Sequence, residues 1–370
     1  MAITQTAPAG TYRRPEQWPS TDLIDCDVRI QPATFTALFP YLSEHWRAYI
    51  TESGMAAPTS NLFPPHPSTF VPGSTPTGGP PGSDLTTLQD QLLDPWRTTR
   101  AIINCSYAVD VLHNPDLAAA LATALNQWQL TEWLQRDQRL RGSAVLPVQS
   151  PDLAAAEIER IAEHEAFIQV VLPARAREPL GRRGWWPIYR AAHEHGLVVA
   201  VQSGGLPGLP PTPVGWPSTF LEDYVGLIEA FQAQLVSLVC EGVFEEFPDL
   251  RVAFLDSGFS WLPSLLWRLD KNWKGLRREV PWVRSYPSEI VAEHFALSVQ
   301  PVDAPQQHQQ LLEVIDQLPA EHLLLFASEY PYAPFTDPAA SVPRGLSEES
   351  LTGLLGGNAA RFYRLDRRTP

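Results

Sequence analysis

The chain has 370 residues, 44% of them hydrophobic and 18% charged, with a formal net charge of −14. This is enough apolar material for one large core, and the acidic balance argues against nucleic-acid binding and against docking on an anionic membrane. No run approaches the ~18 apolar residues of a membrane span, and residues 1–18 lack the apolar core of a signal peptide, so the expectation is a soluble cytoplasmic protein.

In chain order, residues 1–21 read as a tail. Residues 23–30 (LIDCDVRI) predict a buried strand that presents Asp27 and Arg29 on one face, because the two are two residues apart. An insertion follows over 32–98. Within it, 35–50 has helical spacing through Phe39, Leu42, Trp46 and Tyr49. Residues 58–82 are a long Pro/Gly/Ser/Thr stretch, either a lid over the site or an arm against another subunit. His66 within it reads as a solvated side chain.

From residue 99 a strand–helix rhythm begins. Strands are expected at 101–105, 141–147, 167–172, 197–201, 251–255, 294–299 and 323–328. Helices are expected at 117–133, 152–163, 186–195, 220–246 (continuous or interrupted), 261–273, 306–317 and 347–355. The 197–201 run (LVVAV) is almost unbroken apolar sequence, as in a strand buried on both faces. With the first strand this makes eight alternations, which predict an α/β fold of the (β/α)8 barrel type over residues 22–363, with residues 364–370 as a second tail. Cys26, Cys105 and Cys240 form no C-x-x-C pair and read as buried thiols.

Chemistry in such barrels lies at the C-terminal ends of the strands. The residues there are Asp27 and Arg29, Gln202, Asp256, Gln300 and Glu329, each following an apolar run. Ser203, Ser257 and Ser328 adjoin these positions, with no histidine in evidence as a base. None of the chain's histidines pairs with another at metal-ligand spacing in a suitable place.

The segments LIDCDVRI, NPDLAAALATALNQW, PLGRRGWWPIYRAAHEHGLVVAVQSGG, GVFEEFPDLRVAFLDSGFSWLPSLLWRLD, PSEIVAEHFALSVQP and LLFASEYP together resemble the amidohydrolase-related, metal-dependent barrels. That group includes aminocarboxymuconate-semialdehyde decarboxylase. The resemblance implies a first-strand pattern of His-x-His or acid-x-His, but Arg29 stands where the histidine belongs. Gln202 replaces the strand-five histidine, Asp256 holds the strand-six position, and Glu329 replaces the final aspartate, with Tyr332 where a histidine often follows.

Arginine has no lone pair to give a cation. Its guanidinium can instead bridge two carboxylates. The reading is therefore a metal-free centre in which Arg29 pairs with Glu329 or Asp27. Asp27, Asp256 and Glu329 are the ligands if a metal such as a single zinc is bound. The competing reading is a set of unrelated polar positions, each bonded to its local backbone.

The resemblance extends, long insertion included, to a branch of multi-component oxygenases such as 2-aminoisobutyrate hydroxylase. The first expectation is accordingly a degenerate subunit of a heteromeric monooxygenase, a dimer or tetramer acting with redox proteins. Its related partner barrel would carry a dinuclear iron or iron–manganese centre. The alternatives are an autonomous decarboxylase or hydrolase using Asp27, Asp256 and Glu329, and a non-catalytic binding protein.

Overall fold

The computed structural model describes residues 13–58, 63, 70–105, 107–205, 210, 212, 214–332 and 342–365. His66 lies outside them. The strands are β1 (Ile24–Ile30), β2 (Arg100–Cys105), β3 (Leu140–Ala144), β4 (Phe167–Arg175), β5 (Val198–Gly205), β6 (Val252–Leu255), β7 (Phe295–Ser298) and β8 (Leu324–Leu325). They form one sheet in sequential order, and every neighbouring pair is parallel.

Parallel neighbours need long crossovers. The helices are α1 (Glu44–Ser53), α2 (Leu85–Leu88), α3 (Pro115–Gln129), α4 (Pro151–Ile161), α5 (Trp186–Glu194), α6 (Phe220–Cys240), α7 (Val243–Glu246), α8 (Leu262–Leu276), α9 (Pro287–His294), α10 (His308–Ile315), α11 (Glu348–Thr352) and α12 (Asn358–Tyr363). Backbone bonds from Cys26 N–H to the Phe326 carbonyl (2.9 Å), Glu329 N–H to Asp27 (3.0 Å) and Arg29 N–H to Tyr330 (2.6 Å) join β1 to the chain that continues β8. The expected (β/α)8 barrel is the observed fold.

Its core has two shells. Outward-facing strand residues such as Val199, Val201 and Phe254 pack against the helices. Inside the barrel, Ile24, Cys26, Ile102, Ile168, Val198, Ala200, Leu255 and Leu325 form a separate apolar cluster. Tyr363 packs against this inner cluster from α12. Arg251, just before β6, ties α12 in place by donating to the carbonyls of Phe362 and Gly196.

Two local expectations change, at 35–50 and at His294, and the interruption open in the 220–246 helix is located. The 35–50 helix is a 3-10 turn (Phe35–Tyr41) carrying Pro40, followed by α1, whose first turn is capped by Ser43. The 220–246 helix breaks at Gly242, whose φ of 74° suits glycine. A Cβ there would meet Trp282 Cδ1 at 2.3 Å. His294 ends α9 instead of starting a strand; its Nδ1 bonds the Leu250 carbonyl (2.9 Å) and its ring stacks on Phe244.

The described part of the insertion packs on the rim of its own barrel. Gln31 N–H donates to Gly82 and Gln31 Nε2 to Pro81. Val71 N–H donates to Pro331 (2.8 Å), and Phe70 bridges Tyr332 with their rings 5.0 Å apart.

Candidate active site

The register of β1 against β2 shifts between Asp25 and Val28. Strict alternation would put Asp27 on the face opposite Cys26, which lies in the inner cluster. The bulge resets the alternation, so Asp27 and Arg29 also turn inward. Asp25 holds this irregular segment: its Oδ1 accepts from Asp27 N–H (3.2 Å) and from Ser328 N–H (3.0 Å) across the seam. Burial pushes the Asp25 carboxyl up to about 7, against the opposing effect of the Ser328 bonds.

Asp27 is fully buried and accepts from three side chains. Asn104 Nδ2 on β2 and Gln202 Nε2 on β5 each reach its Oδ1 at 2.9 Å. The Arg29 guanidinium reaches both its oxygens, from Nε at 3.2 and 3.3 Å and from Nη2 at 3.0 Å. That same Nη2 lies 3.2 Å from Asp256 Oδ2, so one guanidinium bridges two carboxylates. Nη1 makes a 3.4 Å bond to Ser203 Oγ. Tyr332 lies 5.8 Å from the guanidinium carbon. Burial alone would lower the guanidinium's pKa, but Asp27, Asp256 and Glu329 outweigh it and hold the charge above its ordinary range.

Asp256 and Glu329 follow β6 and β8 with backbone φ of 61° and 56°, left-handed values uncommon outside glycine. Asp256 N–H is held by Ser298 Oγ (2.9 Å) and Glu329 N–H by the Asp27 carbonyl. Burial raises both carboxyls. Arg29 and the Ser203 hydroxyl oppose the rise at Asp256, whereas the facing Asp256 charge adds to it at Glu329. Buried beside the Asp256 charge, Glu329 is driven toward its protonated form. Glu329 Oε1 is buried with no hydrogen-bond partner among the described residues.

The structure therefore gathers Asp27, Arg29, Gln202, Asp256 and Glu329 into one cluster. Bonds crossing the barrel from β1 to β2, β5 and the end of β6 overturn the reading of unrelated positions bonded to local backbone. Arg29 pairs with Asp27, as one expectation had it, and with Asp256 in place of Glu329. Gln300 is buried at the end of β7, where its carbonyl accepts from Ser298 Oγ (2.6 Å). Ser328 is buried, and its hydroxyl accepts from Tyr330 N–H (3.1 Å).

Sequence reasoning missed a polar layer beneath the cluster. Gln169 Nε2 on β4 donates to Asn104 Oδ1 (3.1 Å) and to Ser143 Oγ on β3 (3.0 Å), and Gln169 Oε1 accepts from the Tyr363 hydroxyl (2.7 Å). The available signal was a polar residue inside an apolar run, as in AIINC and FIQVV.

Comparison with known proteins places this geometry. The chain is 22% identical to a gamma-resorcylate decarboxylase of Rhodococcus jostii, over 77% of this chain and 89% of that one. It is 22% identical to another of the same name from Polaromonas sp., over 70% and 81%. Among solved structures, 5-carboxyvanillate decarboxylase from Novosphingobium aromaticivorans, complexed with manganese and 4-hydroxy-3-methoxy-5-nitrobenzoic acid, superposes with a TM-score of 0.71 at 17% identity, over 95% of this chain and 98% of that one. The expectation of a degenerate monooxygenase subunit is thereby corrected, because the relatives in sequence are named decarboxylases, and the metal centre expected in a partner chain loses its basis with it.

The residues here do not fit the manganese ion that the 5-carboxyvanillate decarboxylase structure contains. The carboxylates that would face an ion face the Arg29 guanidinium instead, and among the described residues no imidazole joins them. Among the described residues, no group of three or more His, Cys, Asp or Glu is arranged to hold a metal ion. The ancestry is nonetheless clear: an amidohydrolase family model matches residues 24–365, from β1 through α12, and the chain belongs to that family.

Proposed function

We propose that the chain is a decarboxylase in its own right, acting on a small carboxylic acid of the hydroxylated aromatic kind named for its relatives. The observation that carries this reading is the pair of carboxyl groups, Asp256 and Glu329, held beside a fixed guanidinium at the C-terminal mouth of the barrel. Decarboxylation of an aromatic acid needs a cation to orient the leaving carboxylate and an acid to protonate the carbon that carries it.

Arg29 supplies the first. Among the described residues its Nη1 has only the long Ser203 bond, and its side chain is 12% exposed. Glu329 supplies the second, since burial beside Asp256 raises its carboxyl well above the usual range and, among the described residues, its Oε1 has no competing partner. Glu329 gives its proton to the ring carbon bearing the carboxylate. The carbon–carbon bond then breaks, its electron pair returns to the ring, and CO2 leaves. Asp256 relays a proton from water to restore the pair.

The test is CO2 release by the purified chain from 2,6-dihydroxybenzoate, 5-carboxyvanillate and related hydroxybenzoates. Turnover in deuterated water should place one deuterium at the vacated carbon. Glu329→Gln should lower kcat by about 10²–10⁴, the usual contribution of a positioned acid, and leave KM near that of the parent. No turnover across this class, or full activity in Glu329→Gln, refutes the reading.

A further inference from the structure

We infer that Arg29 is a tethered replacement for a dissociable metal ion, so that this barrel is complete without a divalent cation and excludes one from its centre. The inference concerns what the site holds and stands apart from the decarboxylase reading.

Three observations carry it. The first is position. Arg29 leaves β1 two residues after Asp27 and lies between the carboxylates of Asp27 and Asp256, with Glu329 close enough to strengthen its charge. The second is saturation. Asp27 receives two of its donors from neutral amides, Asn104 and Gln202, and the rest from Arg29. An ion seated at Asp27 would have to displace these bonds and sit beside a guanidinium that cannot lose its proton.

The third is charge balance. Three carboxyl groups face one guanidinium, which forms ion pairs with two of them. A fixed positive charge among these carboxyl groups offsets their attraction for a divalent ion and repels any ion brought beside it. Removing the guanidinium changes this. The same carboxyl groups would then face a cavity with no cation, which is an oxygen-donor site of the kind manganese or magnesium takes.

The experiment reads metal binding directly. The purified parent and Arg29→Ala are each stripped with chelator and titrated with Mn2+. Binding is followed by calorimetry and by the electron paramagnetic resonance signal of free Mn2+, and the melting temperature is recorded with and without the ion. The parent should take up less than about a tenth of an equivalent at an ion concentration of about 0.1 mM, and its melting temperature should not move.

Arg29→Ala should bind close to one equivalent, and Mn2+ should raise its melting temperature. Guanidinium ion at low millimolar concentration should do the same, and tetramethylammonium should not. Arg29→His, which restores an acid-x-His pair, serves if the alanine variant does not fold; it should also gain one Mn2+. Stoichiometric Mn2+ binding by the parent that is lost in Asp256→Asn overturns the inference. So does a folded Arg29→Ala that neither binds Mn2+ nor responds to guanidinium.

Discussion

Asp27 accepts from Arg29, Asn104 and Gln202 while itself fully buried. Stranding one partner of a buried ion pair costs about 3–5 kcal/mol. Asp27→Ala should therefore lower the unfolding free energy by about that amount in urea titrations, and Asp27→Asn, which keeps one acceptor oxygen, by less. Equal stability of Asp27→Ala and the parent would mean that Arg29 is satisfied elsewhere. Asp25 governs a pH effect of definite sign. Its carboxyl is pushed up to about 7 in the folded barrel and titrates near 4 in the unfolded chain. Between those values the folded state holds a proton that the unfolded state has released, so stability falls as pH rises from about 4 to about 7, by about 4 kcal/mol in all. The raised carboxyls of Asp256 and Glu329 add to the slope with the same sign. Asp25→Asn should flatten the dependence by roughly Asp25's share. Melting temperatures at pH 5, 6, 7 and 8 measure it, and a parent-like slope in the variant would show that Asp25 does not titrate there.

The turn at Gly82 seats the insertion against β1. Its φ of 77° suits glycine, and a Cβ would lie 2.6 Å from the Arg29 carbonyl and 3.2 Å from Pro331 Cγ. Gly82→Ala should therefore loosen this segment without unfolding the barrel. Hydrogen exchange should quicken at Gln31 and Val71, whose N–H groups bond Gly82 and Pro331, and stay unchanged in α3. Faster exchange throughout would mean that the turn supports the whole fold. At this scale the sequence was informative where the local pattern sufficed. The apolar runs located the strands, and the polar residues closing them located Asp27, Arg29, Gln202, Asp256 and Glu329. The β1 bulge was not legible, because a bulge exists only relative to a neighbouring strand. Asn104 and Gln169 were missed for a related reason: a single polar residue in an apolar run cannot say which face it takes until the barrel closes. The pairing of Arg29 with Asp256 was hidden similarly, since the two are 227 residues apart.

Across the whole molecule the barrel depends on a short last strand. β8 has two residues, and its junction with β1 rests on three backbone bonds and the Asp25–Ser328 bond. A chain truncated after residue 320 should keep its other strands but expose β1 and β7 as open edges, which favours self-association. Sedimentation should show aggregates for the truncated chain, and a monodisperse, folded product would show that β8 is dispensable for closure. The seam also has a consequence for synthesis. Ser328 and Asp25, which meet across it, are 303 residues apart. A ribosome working at ~5–20 residues per second takes roughly 15–60 s to cover that distance. For that interval the nascent chain carries Asp27 and Arg29 without Glu329 or a closed ring around them, so the growing polypeptide must be kept from association until its eighth strand emerges.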